Sequence, residues 1–239
     1  MNLLFIDYKK AFDSIKHNYL WQAMANQGVL RKWIEIIKKG YEKAKTHVKT
    51  DVKGRTFNIE KGMRQGDPLS PNLYNCILDG IFRKMDWEEK GRGIKINGKL
   101  LRFADNVVLI GKTKEELQIM LKSIVERSRE AGMECNIEKT KLMSNGEGEG
   151  MVSIGEEAIE EVDSFKYLGK RLSFEEGVEK ELKERRKAAW NSYWGLKNVY
   201  KNKMISTKLK IKTLETCTLP VLTYGAQTWA LTSKQLEKL

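Results

Sequence analysis

Two acids interrupt apolar runs in this chain, and chemistry can be argued from them. Asp7 closes "LLFI" (3–6), and Asp105 lies between "LLRF" (100–103) and "NVVLI" (106–110). A buried, unpaired carboxylate costs several kcal/mol, so a chain that keeps one usually supplies a cation for it. Two carboxylates converging at the strand ends of one sheet suit Mg²⁺. That ion takes oxygen ligands in near-octahedral geometry, with one or two carboxylates completed by waters and substrate phosphates. A pair of such ions about 4 Å apart is the usual apparatus for phosphoryl transfer to a hydroxyl nucleophile. A lone Asp at a strand end is more often a turn or cap residue, so the inference needs both acids and the loop between them. The residue after Asp105 is Asn106, which keeps an oxygen of similar reach and lacks the charge.

The elements that must position these acids are legible in outline. "LLFIDY" (3–8) has the continuous apolar character of a strand buried on both faces. Helical spacing comes next in "NYLWQAMANQG", closed by Gly28, and in "LRKWIEIIKKGYEK". "THVKTDVKGRTFNIE" alternates around Lys53-Gly54 and predicts a hairpin. In "GMRQGDPLSPNLYNCILDGIFRKM", Gly66, Pro68 and Pro71 mark a loop that enters a helix carrying Leu73, Ile77, Leu78, Ile81 and Phe82. Asn97-Gly98 is a type I′ signal joining strands 93–96 and 99–103, and Ala104-Asp105 is expected at the tip of a second, tighter hairpin. Thr113 with Glu116 predicts a capping box for a helix ending at Gly132. "MECNIEKTKLM" reads as one strand, with short strand candidates at 151–154, 158–162 and 165–173.

Composition narrows the class. The 239 residues are 41% hydrophobic and 32% charged with three prolines, a globular balance. Net charge is +12, and residues 178–239 carry 13 Lys and Arg against 5 Asp and Glu. Positive residues interleaved with aromatics favour a polyanionic partner, nucleic acid before membrane. Cys76, Cys135 and Cys217 lie far apart, without a CxxC pair and with only two histidines, which excludes a zinc finger. A reducing intracellular home, nuclear or cytoplasmic, is the expectation. Nothing resembles a signal peptide or a membrane span. Both ends fall inside element patterns, as expected of a piece of a longer chain. A boundary near Gly177 is expected, where the pattern turns helical and basic.

Five stretches carry a family resemblance: "FIDYKKAFDSIKH", "GMRQGDPLSPNLYNCILD", "LLRFADNVVLIG", "GMECNIEKTKLM" and "FKYLGKRLS". In this order they resemble the palm motifs of reverse transcriptases of non-LTR (LINE-type) retrotransposons. "LKIKTLETCTLPVLTYGAQTWALT" resembles the segment C-terminal to the palm in those proteins. The resemblance spans residue 3 to about 232. It implies an α+β polymerase palm over 1–176, an antiparallel sheet of ferredoxin-like or RRM-like order backed by helices. Residues 177–239 would then form a basic helical thumb-like region.

The resemblance also implies roles. Asp7 matches the first catalytic aspartate, a ligand to two Mg²⁺ ions (Mn²⁺ as substitute), with the backbone at Tyr8 helping to hold the incoming triphosphate. Asp105 matches the other metal ligand, and Asn106 occupies the second acid of the family's Asp-Asp. Phe12 matches the steric gate against a 2′-hydroxyl; a core Phe on a short helix is the rival role. Gln65 and Gly66 match the pair lying along the nascent base pair. Lys139 resembles the lysine that protonates the pyrophosphate leaving group, with Lys141 as an alternative. Phe165, Tyr167, Leu168 and Gly169 resemble the primer grip. Arg185, Arg186, Lys187, Lys197, Lys201 and Lys203 would track phosphates. The implied partners are an RNA template, a DNA primer, dNTPs and the remaining polyprotein domains, fingers and endonuclease.

Two departures qualify the resemblance. Asn106 removes one negative charge from a site built to hold two divalent ions. The fingers, which precede the first aspartate in relatives, have only six residues here. The expected activity is RNA-directed DNA synthesis, impaired to an open degree. The rivals are a non-catalytic nucleic-acid-binding remnant and a translation product that does not fold.

Overall fold

The run "NLLFI" forms the middle strand of a five-stranded sheet because its residues are buried on both faces. The computed structural model describes residues 1–42, 44–49, 53–85, 102–103, 106–146, 150–174 and 178–237. The chain divides into two compact units, Met1–Val162 and Asp163–Leu239.

The first unit begins β1 (Asn2–Ile6), β2 (Tyr8–Lys9), α1 (Ala11–Ser14), α2 (His17–Asn26) and α3 (Arg31–Glu42). It continues through β3 (Lys45–Lys49), β4 (Lys53–Asn58), α4 (Ser70–Arg83), β5 (Arg102–Phe103) and β6 (Asn106–Gly111). Then come α5 (Lys114–Glu130), β7 (Glu134–Cys135), β8 (Lys141–Ser144), β9 (Ser153–Ile154), β10 (Glu157–Ala158) and β11 (Glu160–Glu161). The principal sheet has the order β11-β8-β1-β6-β5, with β1 antiparallel to both β6 and β8 and β11 parallel to β8. Its β8-β1-β6-β5 portion, with α4 and α5 as the connecting helices, is the split βαββαβ order of ferredoxin-like domains. The α+β expectation therefore holds in architecture and in strand order.

Strand periodicity sorts the core. Leu4 and Ile6 share a face with Val107, Leu109 and Leu142, and these meet Tyr74, Ile77, Leu78 and Ile81 of α4 and Leu117, Met120, Leu121 and Ile124 of α5. Phe5, Val108, Ile110 and Met143 take the other face and are buried too. Each fully buried Leu or Ile contributes about 1.5–3 kcal/mol by removal from water, and Leu109→Ala would cost about 2–5 kcal/mol with its cavity. The N-terminus of α5 is capped as expected, Glu116 N–H donating to Thr113 Oγ1 at 3.2 Å. The reciprocal carboxylate accepts from Lys112 N–H at 2.7 Å, one residue before the capping position.

Three expectations are corrected. "LLFIDY" is not one strand: β1 ends at Ile6, and Tyr8–Lys9 leaves the sheet to pair with β7, Tyr8 opposite Cys135. "MECNIEKTKLM" is likewise two strands, because Thr140 returns both its N–H and its hydroxyl to the Asn136 carbonyl, at 2.9 and 2.7 Å, and closes a turn between β7 and β8. Lys53-Gly54 is not the turn of the β3–β4 hairpin: both residues belong to β4, and Lys53 pairs with Lys49. The expected strand 93–96 and its Asn97-Gly98 turn lie outside the described residues.

The second unit opens with the hairpin β12 (Ser164–Tyr167) and β13 (Lys170–Ser173), then α6 (Val178–Gly195), α7 (Lys197–Lys201) and α8 (Thr207–Thr213). A π-helical turn at Leu214–Thr218 leads into α9 (Leu219–Thr223), and α10 (Ser233–Leu236) is the last helix. The units divide before the hairpin, earlier than the charge change near Gly177, itself outside the described residues. Side-chain chemistry explains the hairpin's allegiance: Arg171 of β13 pairs with Glu184 of α6 at 2.9 Å, and its N–H donates to Glu181 at 3.0 Å. Among the described residues no helix is long and apolar enough to cross a membrane.

Candidate active site

Asp7 stands where β1 stops, and its backbone is pinned from both sides. Its N–H donates to Thr140 Oγ1 at 3.4 Å, and its carbonyl accepts from Asn136 N–H at 2.8 Å. Thr140 is fully buried, so the turn of residues 136–140 is fastened to the strand end. That turn carries Lys139, whose Nζ lies 3.9 Å from Asp7 Oδ2, with the two side chains 70% and 39% exposed. A pair this exposed contributes about 0–1 kcal/mol to stability, so the lysine's proximity is not explained by holding the fold. Lys141 has a different place: it lies on β8 opposite Glu160 of β11 and pairs with that carboxylate. Of the two lysines, Lys139 is the one beside Asp7.

The β1–β6 register brings the second motif to the same edge. The ladder ends with Ile6 opposite Val107, so Asp7 follows the last paired residue of β1 and Asn106 precedes its partner on β6. Phe103 of β5 pairs with Asn106, and two residues, Ala104 and Asp105, connect those strands. The strand pairing expected there is present, and the expected tip, Ala104-Asp105, lies outside the described residues. So does the side chain of Asn106.

Phe12, Gln65 and Gly66 are brought together by a loop sewn onto α1. Met63 N–H donates to the Phe12 carbonyl at 2.7 Å, Gly62 N–H to the Ile15 carbonyl at 2.7 Å, and Gln65 Nε2 to Asp13 Oδ1 at 3.0 Å. Phe12 is half-buried and stacks on the buried Tyr74, with ring centroids 4.8 Å apart and planes inclined 23°. It is thus both a core-facing ring and one partly open to solvent. Gly62 and Gly66 both take positive φ, +87° and +84°. A Cβ on Gly62 would meet the Asp13 carbonyl oxygen at 2.7 Å, whereas among the described residues nothing beyond its chain neighbours lies within 4 Å of one on Gly66. Pro71 falls in the first turn of α4, where a missing N–H costs nothing.

Tyr8 can contribute only backbone to this site. Its ring is buried and its hydroxyl lies 2.9 Å from Ser128 Oγ, so burial, with Cys135 nearby, pushes the phenol's pKa well up. The Cys135 thiol is pushed up to about 12, by burial first and then by Glu134 and Asp7 against the opposing Arg129. Among the described residues no three His, Cys, Asp or Glu side chains cluster. The exposed oxygens of Asp7 are hard donors at a strand end, which suit a divalent ion that prefers oxygen.

The second unit holds the remaining candidates. Tyr167 and Lys170 close a two-residue turn in which Leu168 and Gly169 both have positive φ, 50° and 78°, the signature of type I′. Both turn carbonyls are tied back, that of Leu168 to the Tyr224 hydroxyl at 2.9 Å and that of Gly169 to the Arg185 guanidinium. Phe165 and Tyr167 lie half-buried on β12. Arg185 does not fit the expected phosphate-tracking role. Its side chain is 15% exposed, paired with Glu181 at 2.8 Å and lying 4.7 Å from the centre of the Tyr224 ring. Arg186, Lys187, Lys197, Lys201 and Lys203 are exposed.

Sequence reasoning missed Asn136 and Thr140, which fasten Asp7, and Asp13, which holds Gln65. It also missed Tyr224, which braces the turn. An Asn four residues before a Thr in a supposed strand was a usable turn signal; nothing local marked Tyr224.

A family model described as "Reverse transcriptase (RNA-dependent DNA polymerase)" matches residues 2–172. A "Retrovirus-related Pol polyprotein from type-1 retrotransposable element R2" of Nasonia vitripennis is 33% identical over 180 residues, covering 69% of this chain and 17% of that protein. The protein of the same name from Popillia japonica is 29% identical over 253 residues, covering 99% of this chain and 40% of that one. Among solved structures, telomerase from Candida tropicalis in complex with a fragment of telomeric RNA matches with a TM-score of 0.55 at 15% identity. That match covers 99% of this chain and 41% of the telomerase chain, and it speaks to fold alone. The chain spans well under half the length of these R2 relatives. The family match runs through the sheet, the Asp7 strand end and the β12–β13 hairpin, and by it the chain belongs to the reverse transcriptases, with the R2 non-LTR retrotransposable elements among its relatives.

Proposed function

We propose that this chain is an RNA-directed DNA polymerase segment that adds deoxynucleotides to a primer 3′ end at Asp7. The supporting observation is the Lys139 ammonium 3.9 Å from the Asp7 carboxylate, at the end of a strand whose last residue, Ile6, pairs with Val107, one residue after Asn106 and two after Asp105 in sequence. Asp7 and Asp105 would hold divalent ions, Mg²⁺ with Mn²⁺ as substitute. Bound ions would ease deprotonation of the primer hydroxyl and neutralise charge on the phosphates. Lys139, on a solvent-facing turn beside Asp7, would donate a proton to the departing pyrophosphate. Phe12, held against Tyr74, would pack under the sugar and exclude a 2′-hydroxyl. Gly66, with no described residue where a side chain would be, would leave room for the nascent base pair beside Gln65. The β12–β13 turn would support the primer end, and the exposed lysines after α6 would hold phosphates of an RNA template and DNA primer.

Asn106 favours a second reading, a nucleic-acid-binding remnant that no longer polymerises. Primer extension on an RNA template, with Mg²⁺ or Mn²⁺, separates the two. Product from the chain or from Asn106→Asp supports polymerisation. No product from either, with salt-dependent binding indifferent to Asp7→Ala and to divalent ions, supports the remnant.

A further inference from the structure

Helix α6 carries an aromatic surface that the proposed chemistry does not use. Trp190 and Trp194 lie one turn apart and are 58% and 55% exposed, although large indoles usually find cover. Their planes are inclined 25° with centroids 6.5 Å apart, and the Tyr193 ring stands edge-on to both, at 5.6 and 5.4 Å. Tyr193 is in turn stacked on Tyr200, 4.4 Å away and inclined 14°. Ser192 donates to the Cys217 carbonyl at 2.9 Å, which holds this stretch of α6 against the π-helical turn. The indoles are therefore braced from behind and open in front. The sequence around them is basic: residues 186–214 hold eight Lys and Arg, with Arg186 and Lys187 one turn before Trp190 and Lys197 just after Trp194, and the nearest acids in sequence are Glu184 and Glu215.

We propose that Trp190 and Trp194 form a stacking surface for unpaired bases of single-stranded nucleic acid. Exposed aromatic rings beside a run of basic residues are the two parts of a sequence-tolerant single-strand site: bases stack on π-faces while lysines hold phosphates. An apolar protein partner would use the rings but would leave the field of positive charge uncompensated. The site goes beyond nucleotide addition and operates equally in a chain that cannot polymerise.

The test is fluorescence anisotropy of the full 239-residue chain with labelled oligo-U, oligo-dT and an abasic strand of equal length, over a salt series. Trp190→Ala with Trp194→Ala is expected to weaken binding to base-bearing strands about tenfold. The slope of log affinity against log salt should not change, because stacking releases no counterions. Trp→Phe at both positions should restore most of the loss, and Lys187→Gln with Lys197→Gln should flatten the slope. The stronger of the RNA and DNA arms identifies the strand held. Unchanged affinity in the Ala variant, or an equal loss on the abasic strand, overturns the proposal. So does a wild-type dimer that the Trp substitutions dissolve, since a second copy would then cover the rings. Failure of primer extension affects none of these readouts.

Discussion

The Lys139 ammonium lies 3.9 Å from the Asp7 carboxylate, on a turn that is itself bonded to the Asp7 backbone. Lys141, two residues on, is committed to Glu160. The two lysines therefore separate by experiment. Lys139→Met is expected to lower kcat about 10²-fold with KM for dNTP nearly unchanged. Lys141→Met should leave kcat intact and shift stability by no more than about 1 kcal/mol. Steady-state kinetics with urea melts checks both, and equal kinetic effects would contradict the assignment.

The loop glycines make a paired prediction. Gly66→Ala should cost about 1–2 kcal/mol for its left-handed backbone and, by entering space that no described residue fills, should also raise KM for dNTP. Gly62→Ala should cost more in stability, because its Cβ would press on the Asp13 carbonyl oxygen at 2.7 Å. Urea unfolding of the two variants ranks them.

Tyr224 and Arg185 brace the β12–β13 turn, where Leu168 is held in a conformation that L-residues avoid. Losing the one bond in Tyr224→Phe, worth about 1 kcal/mol, should speed amide exchange at Leu168–Lys170 about fivefold. Arg185→Met should cost the unit about 3–5 kcal/mol, because it leaves the Glu181 carboxylate, 6% exposed, without its guanidinium. Exchange mass spectrometry and thermal melting read the two effects.

Much of the architecture was legible because the sheet obeys strand periodicity: "LLFI" and "NVVLI" are apolar at nearly every position, as strands buried on both faces must be. The turn that carries Lys139 was not legible. Lys139 and Lys141 would share a face of an unbroken strand, so alternation could not choose between them. The choice comes from tertiary pairing, β2 with β7 and Thr140 with Asn136. The hairpin at 165–173 was hidden for a related reason. Leu168 is no turn former, and its positive φ is supported by Tyr224, far along the chain. The charge change near residue 177 was plain in the sequence, but the allegiance of the hairpin depends on Arg171 pairing with α6.

Glu181 makes the second unit sensitive to acid. Burial raises its pKa, but the Arg171 N–H and the Arg185 guanidinium outweigh burial and leave it below the ordinary value. A lowered folded pKa contributes stability in full above the unfolded value, about 4.3, and loses it as pH falls through the folded one. Wild type should therefore lose stability in that window, while Glu181→Gln starts lower at neutral pH and loses less. Melting curves across the window, with parallel losses as the contrary result, decide it.

The central assignment, nucleotide addition at Asp7, is tested most directly by single-turnover dNTP incorporation on an RNA template, comparing Asn106→Asp with the same chain also carrying Asp7→Asn. The expected result is faster incorporation by Asn106→Asp than by wild type, and loss of about 10³-fold or more when Asp7 is also changed. Incorporation by Asn106→Asp that persists undiminished without the Asp7 carboxylate would contradict it.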